Sequence, residues 1–204
     1  MIGIIDYGVG NLASINNMLK KAGVPSEIVN HVDQVHASTK LILPGMGHFD
    51  NCMVRLKESG LLPAIEKRVH EDSIPVLGIC VGLQMLMASS EEGVEPGLGW
   101  IPGKTVKFDA GTLGPGYKIP NMGWLEVIHR KSSPLLDDLE GARFYFAHSY
   151  YVQPTAEKDI LLSAEYGTQF TVGIEVGNIK GVQFHPEKSH RFGLQLLKNF
   201  ATKY

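Results

Sequence analysis

Cys80 stands between two glycines in the segment Leu77–Gln84, where an apolar run gives way to a helical pattern. Gly78 and Gly82, two residues before and two residues after the thiol, allow a sharp turn of the backbone without Cβ collisions. Such a turn would lift the sulfur above a sheet, at a helix N-terminus whose partial positive charge favours thiolate and can stabilise an oxyanion. The spacing indicates a nucleophile, and burial as a small apolar side chain is the alternative interpretation.

A histidine and a carboxylate follow the apolar segment Gly181–Phe184. Residues two apart in an extended chain point to the same side, so Glu187 can reach the imidazole of His185. A thiol nucleophile needs this arrangement, because imidazole takes its proton while a carboxylate fixes the tautomer and steadies the imidazolium. A surface ion pair and a metal ligand are the alternatives. Since the other histidines show no zinc-ligand spacing, the pair predicts proton transfer and no metal site.

The second cysteine, Cys52, lies in a helical pattern without glycine neighbours, which predicts packing and no chemistry. Two cysteines in such different settings, in a chain whose N-terminus has no basic leader, indicate reduced thiols in the cytoplasm. The sequence has no long apolar stretch, so neither a signal peptide nor a membrane span is expected.

The composition is that of a globular protein. The 204 residues, of which 44% are hydrophobic and 20% charged, suffice for one domain, residues 1–204, with a substantial core. A net charge of −2 gives no electrostatic reason to expect nucleic acid or anionic lipid as a partner.

Short apolar runs alternate with amphipathic segments in the first half of the sequence. Strands are predicted at Met1–Ile5, Ser26–Val29, Leu41–Leu43 and Ile74–Ile79. Asn11 can cap a first helix, and further helices are predicted at about Phe49–Lys57 and Leu62–His70. This alternation predicts an α/β fold with a mostly parallel sheet flanked by helices.

Glycine and proline become frequent after Gly97, and the pattern changes. Runs typical of strands follow one another there, which predicts antiparallel additions to the sheet in the C-terminal half. They cover Phe144–Tyr151, Ile160–Tyr166, Thr171–Val176 and Ile179–Phe184, before a closing helix at about Phe192–Thr202.

Several motifs in this order resemble class I glutamine amidotransferases. They are Asp6–Leu12, Leu43–Phe49, Ser89–Glu92, Asn121–Trp124, His148–Tyr150 and Gln183–Ser189, together with the turn at Cys80. The resemblance implies the flavodoxin-like fold of that family and a glutaminase activity that needs no cofactor. In that reaction Cys80 would form a glutamyl thioester, while His185 and Glu187 would move the protons that release ammonia.

The resemblance also implies roles for residues around these three. Backbone N–H groups of Val81 and of the loop at Met46 and Gly47 would stabilise the oxyanion. The glutamine-binding set would be Gly47, Gln84, Glu92, His148, Ser149 and Tyr150. Glu92 suits an α-ammonium group, with a solvated helix end beside Glu91 as its alternative. For His148, a structural ring hydrogen-bonded in the core is the alternative.

Asn11, Trp124 and Lys188 would lie, by the same resemblance, on the face that meets a (β/α)8-barrel cyclase, a heterodimer partner that consumes the ammonia. An ordinary exposed cation is the alternative for Lys188. Similar glutaminases serve histidine biosynthesis, the commoner role, or amidation of a surface-polysaccharide sugar. Leu125 and the stretch Phe108–Tyr117 depart from the usual pattern, and the acceptor stays open. The catalytic triad of Cys80, His185 and Glu187 is intact, which disfavours a non-catalytic regulatory subunit. The glutamine-binding set disfavours a peptidase.

Overall fold

The computed structural model describes every residue from Met1 to Tyr204. Twelve strands join one sheet. In chain order they are β1 (Ile2–Ile5), β2 (Ser26–Val29), β3 (Lys40–Gly45), β4 (Val76–Cys80), β5 (Ser89–Ser90), β6 (Gly103–Lys107), β7 (Asn121–His129), β8 (Arg143–His148), β9 (Tyr150–Pro154), β10 (Ile160–Tyr166), β11 (Thr168–Val176) and β12 (Ile179–Val182).

Seven α-helices accompany the sheet: α1 (Leu12–Lys21), α2 (Val32–Ala37), α3 (Phe49–Glu58), α4 (Leu62–Glu66), α5 (Val81–Met85), α6 (Ala110–Leu113) and α7 (His190–Lys203). A π-helical turn, Lys67–Glu71, extends α4 to the length predicted for that helix. Asn11 is the N-cap of α1, as predicted, although its side chain makes no capping hydrogen bond. None of these helices combines the length and the apolar character that crossing a membrane requires.

Five strands form the parallel half of the sheet, in the order β2-β1-β3-β4-β12. All five residues of β4 are buried, which explains why this strand is a continuous apolar run rather than an alternating one. In the register of the sheet, Gly45 of β3 lies opposite Cys80 of β4, and Val182 of β12 lies opposite Ile79. The carboxyl ends of these three strands therefore meet at one edge.

The sheet continues beyond β12 through β11, β10, β7 and β8, all antiparallel, and β9 connects β11 to β6. The predicted antiparallel additions are confirmed. The aromatic run Phe144–Tyr151 is not one strand, because the ladder breaks at Ser149 between β8 and β9. The strands β6 and β7 are not predicted, since glycine and proline crowd that part of the sequence.

The two halves share one hydrophobic core of 52 buried residues. In α7 the side chains of Leu196, Leu197 and Phe200 are fully buried, and each stabilises the fold by about 1.5–3 kcal/mol on leaving water. The continuous core holds the antiparallel half firmly against the edge where β3, β4 and β12 end.

Candidate active site

Cys80 is the last residue of β4, and α5 begins at the next residue. Its backbone lies at φ 56° and ψ −113°, a left-handed region that costs a non-glycine residue about 1–3 kcal/mol. The sharp turn predicted from the glycine spacing is present, and the strain falls on the cysteine itself.

The neighbouring glycines make room for this turn. A Cβ on Gly82 would collide with the carbonyl oxygen of Leu43, and a Cβ on Gly78 would lie 2.8 Å from the Gly82 oxygen. Gly45 is under the same constraint, because its Cβ would collide with the Gly82 nitrogen. None of these three glycines has a positive φ. Close approach of two backbones, rather than an unusual dihedral angle, requires glycine here.

His185 follows β12, and hydrogen bonds of its backbone N–H and carbonyl fix its position. Its N–H donates to the Tyr145 carbonyl at 2.9 Å, and the Ser189 hydroxyl donates to its carbonyl at 2.6 Å. The ring Nδ1 lies 2.9 Å from Glu187 Oε1, and the two side chains are only 6% and 2% exposed. The predicted pairing of histidine and carboxylate is thus present, and it leaves Nε2 for the sulfur.

The pKa of His185 is raised. Burial lowers it, but hydrogen bonds to the Cys80 sulfur and to the Glu187 carboxylate outweigh this desolvation and bring the pKa to about 10. These two partners therefore favour the protonated ring. An imidazolium between a sulfur and a carboxylate is the state that a thiolate nucleophile requires.

Gln183 also reaches Cys80, a contact for which no role is predicted from the sequence. The side chain is fully buried, and its Nε2 donates toward Cys80 Sγ at 3.8 Å. Its Oε1 accepts from Gln84 Nε2 at 3.2 Å. Gln183 precedes His185 by two residues, so the alternation that pairs His185 with Glu187 could have placed it on the same side. A buried amide donor at this position can stabilise negative charge on the sulfur.

A pocket of about 240 Å³ opens over the sulfur. Cys80 and His185 line it, while Glu187 stands behind the imidazole. The lining also contains Met46, Val81, Lys188 and the whole predicted glutamine-binding set, Gly47, Gln84, Glu92, His148, Ser149 and Tyr150. Residues from five separate parts of the sequence therefore converge on one cavity.

The loop after β3 presents unused N–H groups at this pocket. The N–H groups of Met46 and Gly47 donate no hydrogen bond within the chain. The Met46 carbonyl accepts from Cys52 Sγ at 3.5 Å and so points toward α3. The Gly47 N–H belongs to the same trans peptide and therefore points away from Cys52. Cys52 itself is fully buried in α3, and burial raises its pKa, so it is a packed thiol as predicted.

Two carboxamide or carboxylate oxygens at the pocket have no partner. Gln84 Oε1 is buried without a hydrogen bond, while its Nε2 donates to the Tyr150 carbonyl at 3.1 Å. Glu92 Oε2 accepts from the Phe49 N–H at 2.9 Å, and Glu92 Oε1 makes no hydrogen bond or ion pair. An unpaired buried acceptor costs about 1–3 kcal/mol. The pocket therefore favours a ligand that brings hydrogen-bond donors.

His148 faces the pocket as a neutral ring. Burial lowers its pKa to about 4, against the hydrogen bond to the Tyr150 carbonyl, and the charge of His185 reinforces the shift. Nδ1 lies 2.8 Å from the Tyr150 oxygen and must donate to it, while Nε2 accepts from Asn121 Nδ2 at 3.1 Å. Both ring nitrogens are occupied within the chain, so only the ring face is open to a ligand.

Of the three residues predicted to meet a partner, Lys188 lines the pocket and Asn11 and Trp124 do not. Lys188 is exposed at the pocket, Trp124 is 37% exposed and Asn11 is half-buried. Trp124 stacks on His190, with ring centroids 5.4 Å apart and an interplanar angle of 2°. Met122, on the same face of β7, is 65% exposed. Exposed aromatic and methionine side chains are typical of protein contact surfaces.

Comparison with known proteins identifies the family. Residues 3–204 match the family described as glutamine amidotransferase class-I. The chain belongs to this family. The amidotransferase is 50% identical over 204 residues to the imidazole glycerol phosphate synthase subunit HisH 2 of Methanococcus maripaludis, covering all of both chains. It is 48% identical over 202 residues to the subunit of the same name from Pseudomonas aeruginosa, covering 98% of each.

Among solved structures, PurLQS from Thermotoga maritima aligns with the amidotransferase at a TM-score of 0.74 and 18% identity, covering 100% of this chain and 97% of that chain. At this identity the likeness concerns the fold, and it confirms the predicted α/β class. The family consists of glutamine amidotransferases, so the predicted enzyme class is confirmed as well.

Proposed function

We propose that the amidotransferase is the glutaminase subunit of an imidazole glycerol phosphate synthase. It hydrolyses L-glutamine to glutamate and ammonia, as one domain spanning residues 1–204, and passes the ammonia to a cyclase partner in histidine biosynthesis. The observation that carries the glutaminase activity is the strained Cys80 beside the pair of His185 and Glu187, in a pocket with unpaired acceptors. Relatives at 48% and 50% identity that carry this subunit name support the pathway.

Cys80 acts as the nucleophile. Its thiolate attacks the side-chain carboxamide carbon of glutamine, and the C–N bond breaks as His185 gives its proton to the departing ammonia. Water then attacks the thioester while His185 takes a proton from it. The C–S bond breaks, which releases glutamate and restores the thiolate and the imidazolium. Glu187, 2.9 Å from Nδ1, stabilises the imidazolium in both halves of the cycle.

Each tetrahedral intermediate needs donors for its oxyanion. The Val81 N–H, at the first residue of α5, is one, and a free N–H of Met46 or Gly47 is the other. Losing one such donor costs on the order of 3 kcal/mol in the transition state. The glycine contacts between β3 and the turn after β4 support this role, because they keep both donors within one small cavity.

Glutamine is held at its amino-acid end by complementary charge and hydrogen bonds. The free Oε1 of Glu92 takes the α-ammonium group, and backbone groups near Ser149 take the α-carboxylate. Gln84 Oε1 accepts from the substrate, which removes the cost of leaving that atom unpaired. Gly47, His148 and Tyr150 complete the wall of the pocket.

The partner is a (β/α)8-barrel cyclase that docks as a heterodimer over Asn11, Trp124 and Lys188. The exposed side chains of Met122 and Trp124 support this placement, because Met122 pairs in the sheet with Ala147, which lines the pocket. Both cysteines are free thiols, which suits the reducing cytoplasm as the place of action.

Ammonia delivery for the amidation of a surface-polysaccharide sugar is the second candidate. By resemblance alone, the sequences of two segments, Phe144–Tyr151 and Ser189–Gly193, point to that branch of the family. They pack together in the fold, since the Tyr145 N–H donates to Ser189 Oγ at 3.0 Å. This alternative keeps the glutaminase chemistry and changes only the acceptor.

The test is to measure glutamate and ammonia release from L-glutamine by the purified chain with either barrel partner and that partner's acceptor. We expect release to be strongest with the histidine-pathway cyclase. Stimulation by the sugar-pathway partner alone would replace the pathway and keep the glutaminase. Absence of glutamate release with every partner would contradict the glutaminase proposal itself.

A further inference from the structure

The N-terminus of α3 and the segment Glu92–Glu95 are tied together by hydrogen bonds in both directions. Glu92 Oε2 accepts from the Phe49 N–H at 2.9 Å. In return, the two oxygens of Asp50 accept from the backbone N–H groups of Glu95 and Val94, each at 3.0 Å. Three hydrogen bonds thus join two short stretches that lie more than forty residues apart in sequence.

This junction is what gives the segment its position. Glu92–Glu95 belongs to no helix or strand, and Val94 is 93% exposed. Gly93 lies so close to Asp50 that a Cβ there would collide with the carboxylate. Apart from these contacts, the segment is anchored by two hydrogen bonds to Ser90, from the Glu92 N–H to Oγ at 3.1 Å and from the Gly93 N–H to the carbonyl at 3.5 Å, and by the ion pair of Glu95 with Lys57.

The junction also determines which oxygen of Glu92 faces the pocket. Since Oε2 is bonded to the Phe49 N–H, the carboxylate cannot rotate freely, and Oε1 is the oxygen left for a ligand. A carboxylate on an untethered loop would lose side-chain and backbone freedom when it bound an ammonium group. A carboxylate that is already fixed loses less conformational entropy when it binds the ligand.

We propose that Asp50 is a positioning residue for glutamine recognition: by holding the segment Glu92–Glu95 against α3, it directs Glu92 Oε1 at the α-ammonium group of the substrate. This inference rests on the proposed function, in which Glu92 binds that group. Asp50 does not touch glutamine, and it acts through Glu92.

The negative charge of Asp50 is part of this role. Both oxygens accept from an N–H group, and an asparagine could accept at only one of them, with its NH₂ group facing the second N–H. The hydrogen bond from Val94, followed by that from Glu95, lowers the pKa of Asp50, so the carboxylate stays ionised at neutral pH. Asp50→Asn therefore removes the charge and one of the two hydrogen bonds while keeping the shape of the side chain.

The test measures kcat and KM for Asp50→Asn in the full chain with its partner subunit present. We expect KM for L-glutamine to rise about tenfold, the loss typical of one hydrogen bond to a charged group, with kcat nearly unchanged. The matched control is Asp33→Asn, because Asp33 lies in the first turn of α2 and accepts no hydrogen bond. It should leave both constants unchanged.

A second substrate separates positioning from general loosening of the fold. Glutaramate is glutamine without its α-amino group, so it gains nothing from Glu92. We expect Asp50→Asn to leave KM for glutaramate unchanged. An equal rise of KM for both substrates, or a loss confined to kcat, would overturn the inference.

The variant Glu92→Gln distinguishes a failure of this inference from a failure of the proposed function. If Glu92→Gln raises KM for glutamine and Asp50→Asn does not, the positioning role is wrong and the proposed function stands. If Glu92→Gln has no effect on KM, the ammonium role of Glu92 in the proposed function is wrong, and the inference falls with it. In the double variant, Asp50→Asn should add nothing to the effect of Glu92→Gln, because both act on one contact.

Discussion

The parallel and antiparallel halves of the sheet meet at the pocket and contribute to it in different ways. The parallel half supplies Cys80 and the loop after β3, where the backbones approach so closely that Gly45 and Gly82 have no room for a Cβ. The antiparallel half supplies a wall in which His148 packs among aromatic rings, with centroids 5.3 to 5.6 Å away. Backbone contact demands particular residues, whereas ring packing demands mainly size and apolar character.

The two buried histidines at the pocket show the same contrast. His185, at the end of the parallel half, has its pKa raised to about 10 because its bonds to Cys80 and Glu187 outweigh burial. His148, in the antiparallel half, has its pKa lowered to about 4 by burial, and its strongest contact is a neutral carbonyl. Charged partners convert one ring into a proton donor, and their absence leaves the other ring neutral and structural.

The largest effect should come from the nucleophile. Cys80→Ser should lower glutamate release by several orders of magnitude, because a hydroxyl at its ordinary pKa is a far weaker nucleophile than a thiolate. Cys52→Ser makes the same change at a buried cysteine that only packs, and it should keep nearly full activity. An inactive Cys52 variant beside an active Cys80 variant would reverse the assignment of the two thiols.

The charged pair behind the nucleophile should rank next. Replacing His185 with alanine removes the proton carrier, and Glu187→Gln keeps the shape but removes the charge that stabilises the imidazolium. We expect kcat to fall by about 10²-fold or more for Glu187→Gln, and further for His185→Ala. Steady-state assays with the partner present check this order. A Glu187→Gln variant with an unchanged kcat would remove Glu187 from the mechanism.

A glycine in each half tests how strictly each region constrains its backbone. Gly82→Ala should destabilise the protein by about 1–3 kcal/mol and also reduce activity, because the new Cβ would displace the turn at Cys80. Gly111, in α6 between β6 and β7, has an open site where a Cβ would lie 3.4 Å from the Asp109 carboxylate. Gly111→Ala should change stability by less than about 0.5 kcal/mol. Urea unfolding measures both, and equal effects would contradict the contrast.

The neutral state of His148 predicts a pH dependence of stability. Between pH 6.5 and 4 the unfolded chain binds a proton at this position that the folded chain does not, so stability should fall as the pH drops. A lowering of the pKa from 6.5 to about 4 corresponds to at most about 3 kcal/mol. His148→Asn should lose less stability over this range in denaturant titrations. Identical slopes for the variant and the wild type would show that His148 is not buried as a neutral ring.

The sequence could predict the parallel half better than the antiparallel half for physical reasons. In the parallel half, buried strands are apolar runs ended by glycine turns, and a Cys–Gly or His–Glu spacing has few interpretations. The strands β6 and β7 carry few such signals, because they are partly exposed and lie among glycines and prolines. The conformation of β6 and β7 depends on hydrogen bonds to neighbouring strands, which join residues far apart in sequence.

The residues of the site also differ in how well the sequence predicts them. The triad residues and the glutamine-binding set share one pocket region, whereas Gln183 and Asp50 have functions that depend on distant contacts. The bond from Gln183 to Cys80 spans 103 residues, and the bonds from Asp50 reach a segment that has no secondary structure. No local pattern marks Asp50, whereas the alternation through His185 and Glu187 could have indicated Gln183.

The covalent intermediate on Cys80 is the step on which the proposed function depends most. The direct measurement is an acid quench of the enzyme and its partner during turnover with isotopically labelled glutamine, followed by mass spectrometry of the peptides. We predict one labelled glutamyl group on the peptide that contains Cys80 and none on the peptide that contains Cys52. Label on the Cys52 peptide, or rapid ammonia release with no labelled cysteine at any quench time, would contradict it.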